Sequence, residues 1–230
     1  MQVADVVTEV TTGQARLALL LDGLDEDAAR SASRLPGWTR GHVLTHLEQV
    51  VVAFARQAEY ARRGELVEVY DGGRPGRDAA IEANAGRPAA ALRSAVFAAN
   101  ERLATAWAEL EPGDWSAAVR YRDSNLLATA FCVWREIEIH TADADIGYEP
   151  GEWSADFCAH VVEFLRPRVP AGARLLLAPA DARQRWDLGE GEPVTVRGPL
   201  AGITAWLAGR DDGTGLDSGG AALPVLLAWP

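Results

Sequence analysis

His46 inside T-H-L, and the pair Glu136 and His140 inside W-R-E-I-E-I-H, are the residues of this chain whose types and spacing best suit chemistry. Glu136 and His140 are four residues apart, so on a helix they lie one turn apart on one face, where a single divalent ion can touch both. His46 would supply a third ligand. Two imidazole nitrogens and one carboxylate oxygen suit zinc or another divalent metal, and three protein ligands leave a fourth position open for water, thiol or substrate. An open position implies catalysis rather than scaffolding. Because Glu-x-x-x-His also arises by chance as a solvated pair, the neighbours decide. Val133, Glu136, Ile137, His140 and Ala144 follow the rhythm of an inward helical stripe. A carboxylate on such a stripe needs a partner. His46 falls with Val43, Leu47, Val50 and Phe54 on the inward stripe of its own helix, so two helices are expected to converge on one ion.

The elements that must position these residues are legible in outline. Residues 3–22 read as an amphipathic helix, with Val6, Val10, Leu17, Leu20 and Leu21 at helical spacing, and D-G-L-D breaks it. In R-L-P-G-W-T-R-G-H-V-L-T-H-L, Pro36 and Gly37 make a turn and Thr39 caps a long helix running to about Arg63. D-G-G-R-P-G-R reads as a loop of turn formers, followed by a short helix over 78–85 and a longer one over 88–110. The segment 125–147 reads as the fourth long helix and carries Glu136 and His140 near its middle. Beyond Gly147 the texture changes. Y-E-P-G-E-W is turn-rich, 154–165 reads as a helix, and 174–178 and 195–197 read as short strands. R-Q-R-W-D-L-G alternates like a half-exposed strand, A-G-I-T-A-W-L-A-G-R reads as a helix closed by Gly209, and L-P-V-L-L-A-W reads as a closing apolar strand. The expected division falls near residue 150, with a helical bundle over 1–150 and a smaller α/β domain over 151–230. The fold class is α+β.

Composition narrows the partners. With 230 residues, 48% of them hydrophobic, the chain can bury a real core. A net charge of −11 argues against nucleic acid and against anionic membrane surfaces, leaving a small molecule as the expected partner. The longest apolar runs fall far short of a bilayer span, and no segment resembles a secretion signal, so a cytoplasmic location is expected. All 22 basic residues are arginine, a bias compatible with a GC-rich actinobacterial coding sequence. The two cysteines, Cys132 and Cys158, are spaced unlike a metal knuckle or a redox pair and are expected to be small buried hydrophobes. Any thiol chemistry then needs a thiol from outside the chain.

Four motifs in order, L-P-G-W-T-R-G-H-V-L-T-H-L, Y-D-G-G-R-P-G-R-D-A-A-I-E, W-R-E-I-E-I-H and W-L-A-G-R, resemble those of the mycothiol-dependent maleylpyruvate isomerases across nearly the whole chain. The resemblance implies a DinB-like four-helix bundle holding zinc and a C-terminal sterol-carrier-like α/β domain. It places the family's metal ligands on His46, Glu136 and His140, and its arginine implicated in activity on Arg210. His42 departs from the family pattern, where an acidic residue is common. It reads as a group supporting a ligand, a competing ligand or an exposed residue. Arg122 and Arg135 are further candidates for substrate or cofactor carboxylates, against the ordinary alternative of surface ion pairs. Trp38 and Trp134 are candidates for the cavity wall.

The resemblance further implies a zinc- and mycothiol-dependent cis-trans isomerase converting maleylpyruvate to fumarylpyruvate by reversible thiolate addition. Two other readings stand beside it. A mycothiol S-transferase would conjugate an electrophile permanently, and a zinc-stabilised ligand-binding or sensor module would need no open metal position. The partners implied are a small-molecule substrate and a low-molecular-weight thiol, with the oligomeric state left open.

Overall fold

Four long amphipathic helices build the first unit of the chain, and each buries one apolar stripe. A computed structural model describes all 230 residues and resolves two units, Met1–Tyr148 and Glu149–Pro230. In the first, α1 (Val3–Leu21) buries Val6, Val10, Leu17 and Leu21. A short α2 (Glu26–Arg30), not anticipated from the sequence, precedes α3 (Arg40–Ala61). Next come α4 (Gly73–Asn84), α5 (Ala89–Ala108) and α6 (Leu126–Asp143). Helix α3 packs on α5 and α6, and α1 packs on the same two, so the four long helices close a ring around one core. Each fully buried Leu or Val in that core contributes about 1.5–3 kcal/mol, which outweighs the weak intrinsic preference of any one helix.

Local chemistry fixes the two helices that carry the chemical residues. Thr39 caps α3 through its side chain, which accepts from the His42 N–H, and the His42 ring accepts the Thr39 N–H in return. Asn125 caps α6 by accepting from the Ala128 N–H. Gly41 sits where α3 meets the end of α4, and any Cβ there would collide with the Ala85 carbonyl. Glycine at this position lets α4 lie close over α3.

Two expectations are corrected in detail. The short helix begins at Gly73 rather than 78, because Pro75 lies in its first turn, where its missing N–H has no intrahelical role. The last five of the seven residues of D-G-G-R-P-G-R are therefore helical. The residues preceding α6 contain a strained turn: Arg122 and Asp123 have φ of 53° and 47°. Left-handed non-glycine residues cost about 1–3 kcal/mol each, so surrounding contacts must hold this turn in place. Ser124 does so by donating to the Tyr121 carbonyl at 2.6 Å, and the Val119 N–H donates to the Ser124 carbonyl at 3.0 Å.

In the second unit β1 (Arg174–Pro179) is the centre of a three-stranded mixed sheet, antiparallel to β2 (Trp186–Gly189) and parallel to β3 (Pro193–Gly198). Leu175 and Leu177 point to the buried face, in register with Val194 and Val196 of β3. Helix α7 (Ala155–Phe164) packs on α8 (Leu200–Leu207), which covers β1 and β3. The apolar L-P-V-L-L-A-W segment forms no strand, against expectation. It makes one backbone bond to the body of its unit, from the Leu227 N–H to the Arg168 carbonyl, and Val225, Leu227 and Trp229 stay exposed. Pro224 and Pro230 remove donors from either end of a short run, which explains why it pairs with no sheet edge. The class is α+β, and no helix is long and apolar enough to cross a membrane.

Candidate metal centre

Position on the inward stripes of α3 and α6 brings His46, Glu136 and His140 together, with one ligand atom from each lying within 4.8 Å of the others. Glu136 is the hinge of the cluster. Its Oε2 lies 2.8 Å from Nε2 of His46 and 3.2 Å from Nε2 of His140. The two imidazole rings meet edge to face, with centroids 4.5 Å apart. Nothing in this arrangement needs a long loop, because all three side chains stand on rigid helices.

The protons in the cluster follow from the groups behind it. Arg77 of α4 donates from Nη2 to Nδ1 of His46 at 2.9 Å. A guanidinium has no lone pair to offer, so Nδ1 is the acceptor and Nε2 carries the proton given to Glu136. Burial, with the neighbouring His140 adding to it, holds His46 below the ordinary histidine value, in keeping with a neutral ring. His140 behaves oppositely. Burial works against its charge, but hydrogen bonds to Asp143 and Glu136 outweigh it and raise the ring to about 9. Its Nδ1–H donates to Oδ2 of Asp143 at 2.8 Å, and Asp143 is itself buried. For Glu136, burial opposes ionisation, yet bonds from both histidines hold the carboxyl well below the usual carboxylate range.

This donor set fits a divalent metal. Three nitrogen and oxygen atoms converge, the protons on the two Nε2 atoms stand where a cation would replace them, and Asp143 holds His140 in the tautomer that aims Nε2 at the site. Beside the cluster lies a cavity of about 300 Å3 lined by His46, Glu136, Cys132, Tyr70 and Arg77 among others. The Cys132 thiol donates to Oε1 of Glu136 at 3.8 Å, and burial with the Glu136 charge pushes it up to about 12. It therefore stays a thiol. Burial likewise raises the Tyr70 and Tyr121 phenols, which remain O–H donors.

Other residues singled out from the sequence separate cleanly. His42 stands outside the cluster, engaged in capping α3, with Nε2 3.5 Å from Glu82 and its ring stacked on Trp38. Trp38 meets the His46 ring edge-on, whereas Trp134 is fully buried and does not line the cavity. Arg122 lines the cavity, and Arg135 is buried on α6 rather than paired at the surface. Arg210 belongs to the second unit, where it follows α8, donates from Nη1 to the Ala208 carbonyl at 2.9 Å and lies 5.6 Å from the Trp229 ring centroid. Cys132 and Cys158 are both buried and free.

Asp143, Arg77, Tyr70 and the contact of Cys132 with Glu136 were not read from the sequence. Asp143 had a signal, since it stands three residues after His140 and so on the same helical face. Arg77 had none, because its contact depends on how closely α4 approaches α3.

Comparison with known proteins bears on the fold and the family of the chain. No curated protein sequence matches the chain significantly. Two solved structures share its fold: a crystal structure of a mycothiol-dependent maleylpyruvate isomerase, with TM-score 0.89 and 24% identity, and one of a mutant with a single histidine replaced by alanine, with TM-score 0.88 and 23% identity. Each match covers 100% of this chain and 98% of the other. The family model for the mycothiol maleylpyruvate isomerase N-terminal domain matches residues 10–145, and that for the C-terminal domain of the same family matches residues 152–227. On the extent of those two matches, this chain belongs to the mycothiol maleylpyruvate isomerase family.

Proposed function

We propose that this chain is a cytoplasmic zinc- and mycothiol-dependent isomerase that converts maleylpyruvate to fumarylpyruvate, with His46, Glu136 and His140 as the metal ligands. The observation that carries this reading is the convergence of two imidazoles and one carboxylate, with His46 and Glu136 lining the neighbouring cavity. A metal ion held there would lower the pKa of a coordinating thiol, so that it reacts as thiolate at neutral pH.

The protein's own residues set the conditions for that reaction. A cis double bond rotates only after it becomes a single bond, which addition and later elimination of a nucleophile accomplishes. Burial and the Glu136 charge push the Cys132 thiol up to about 12, which disfavours it as that nucleophile. Supply of the thiol by a small molecule fits this constraint. Asp143 fixes the orientation of His140, while Tyr70 and Tyr121 keep their protons and can donate to oxygens of a bound substrate. We assign Arg210 to substrate binding through a bidentate grip on a carboxylate. Support for Arg210 comes from the W-L-A-G-R motif alone.

The test is turnover of maleylpyruvate by the zinc-loaded full chain, with and without mycothiol, followed by absorbance of the enol product. Many turnovers per thiol are expected. No isomerisation in the presence of thiol would refute the reading, and thiol consumed one for one in a conjugate would identify a transferase instead.

A further inference from the structure

Three arginines, Arg74, Arg77 and Arg122, edge the cavity beside the metal centre, although the chain as a whole carries a net charge of −11. Glu136 is the one carboxylate in the lining, and it is already engaged by two imidazoles. Guanidinium groups and phenol O–H donors around one small apolar-floored cavity select an anion. Arg122 differs from the other two in its backbone.

Arg122 has φ 53° and ψ 31°, and Asp123 follows it with φ 47°. Apart from Asp145, every other left-handed residue in the chain is glycine. A glycine at 122 would relax the turn but would bring no side chain to the cavity. Strain of this kind persists where the side chain does something the relaxed residue cannot. The turn is also tied to the metal centre. Ala118 and Asn125 pair across it, and Asn125 is the cap of the helix that carries Glu136 and His140. Arg122 thus lines the cavity from a turn bridged to the cap of the helix that carries Glu136 and His140.

We propose that Arg122 determines substrate specificity by binding one carboxylate of a small dicarboxylate seated in the metal cavity, the strained turn being what aims its guanidinium there. The inference deepens the functional reading above and rests on its placement of the substrate beside the metal centre. The carboxylate would lie in the fork of Arg122, with its far end toward the metal. Asp123, which does not line the cavity, shares the strain and makes the natural control.

Maleate, a dicarboxylate without the reactive ketone, is a suitable probe. Its binding to the zinc-loaded full chain is measured by titration calorimetry for wild type, Arg122→Asn and Asp123→Asn. Asparagine tolerates the left-handed region, so Arg122→Asn removes the guanidinium without adding strain. The expected result is maleate binding weakened about tenfold or more by Arg122→Asn, as for loss of a charge-assisted pair, and unchanged by Asp123→Asn. The melting temperature of Arg122→Asn should be no lower than wild type. Wild-type affinity in Arg122→Asn, equal weakening in Asp123→Asn, no maleate binding by wild type, or a marked fall in melting temperature would each overturn the proposal. Turnover of maleylpyruvate is assayed separately. A wild type that binds maleate through Arg122 but isomerises nothing would refute the reaction and leave this inference standing.

Discussion

Binding a metal at His140 must displace a proton. The ring is raised to about 9 by Asp143 and Glu136, so in the metal-free protein it is an imidazolium throughout the neutral range. A cation needs the lone pair on Nε2, and the proton competes for it. Affinity is therefore weakest at low pH, rises as pH rises, and levels off above about 9. At pH 7 the competition spans about two pH units, which at about 1.4 kcal/mol per unit weakens binding about a hundredfold relative to the plateau. His46 contributes little there because burial keeps it below the ordinary histidine value, and Glu136 is already ionised. Zinc affinity measured by chelator competition, corrected for protonation of the chelator, should therefore climb about tenfold per unit between roughly pH 6.5 and 8. Calorimetry in buffers of different ionisation enthalpy should show the matching proton release. A flat affinity across that interval, with no proton released, would refute the assignment of His140 as a ligand protonated before loading.

Three other outcomes follow from the same contacts. Asp143→Asn removes the acceptor that orients His140 and should weaken zinc binding about 10- to 100-fold while lowering the pH at which affinity levels off; an unchanged profile would contradict it. Arg77 holds His46 in the tautomer whose Nε2 bears a proton, so Arg77→Gln, which can accept from Nδ1–H, should tighten zinc binding and shift the His46 ring nitrogens in NMR spectra. Weaker binding in Arg77→Gln would count against that picture. Arg210→Ala should leave zinc content intact and lower kcat/KM about tenfold or more, and an unchanged value would remove Arg210 from the account.

The parts of the site written in helical periodicity were legible, and the parts written in close approach were not. Val43, His46, Leu47 and Val50 on α3, and Val133, Glu136, Ile137 and His140 on α6, repeat at a spacing that forces them inward, so their meeting could be anticipated from the chain alone. Arg77 escaped because two glycines and a proline mask the start of α4, and because its contact with His46 depends on Gly41 letting two helices come together. The left-handed Arg122 leaves no trace in sequence, since arginine has no preference for that conformation. The closing segment misled in the opposite sense. Its composition suits a strand, but two prolines and the lack of a paired edge leave it outside the sheet, with Val225, Leu227 and Trp229 exposed.

Three side chains sharing one cation should bind it with a stoichiometry of one, and counting metal tests that directly. Zinc per chain, determined by mass spectrometry after exhaustive dialysis of the full protein, should be close to one for wild type. It should fall close to zero in His46→Ala, Glu136→Ala and His140→Ala, each checked for folding by circular dichroism. Full occupancy in any folded member of that set would contradict the ligand assignment and the chemistry built on it.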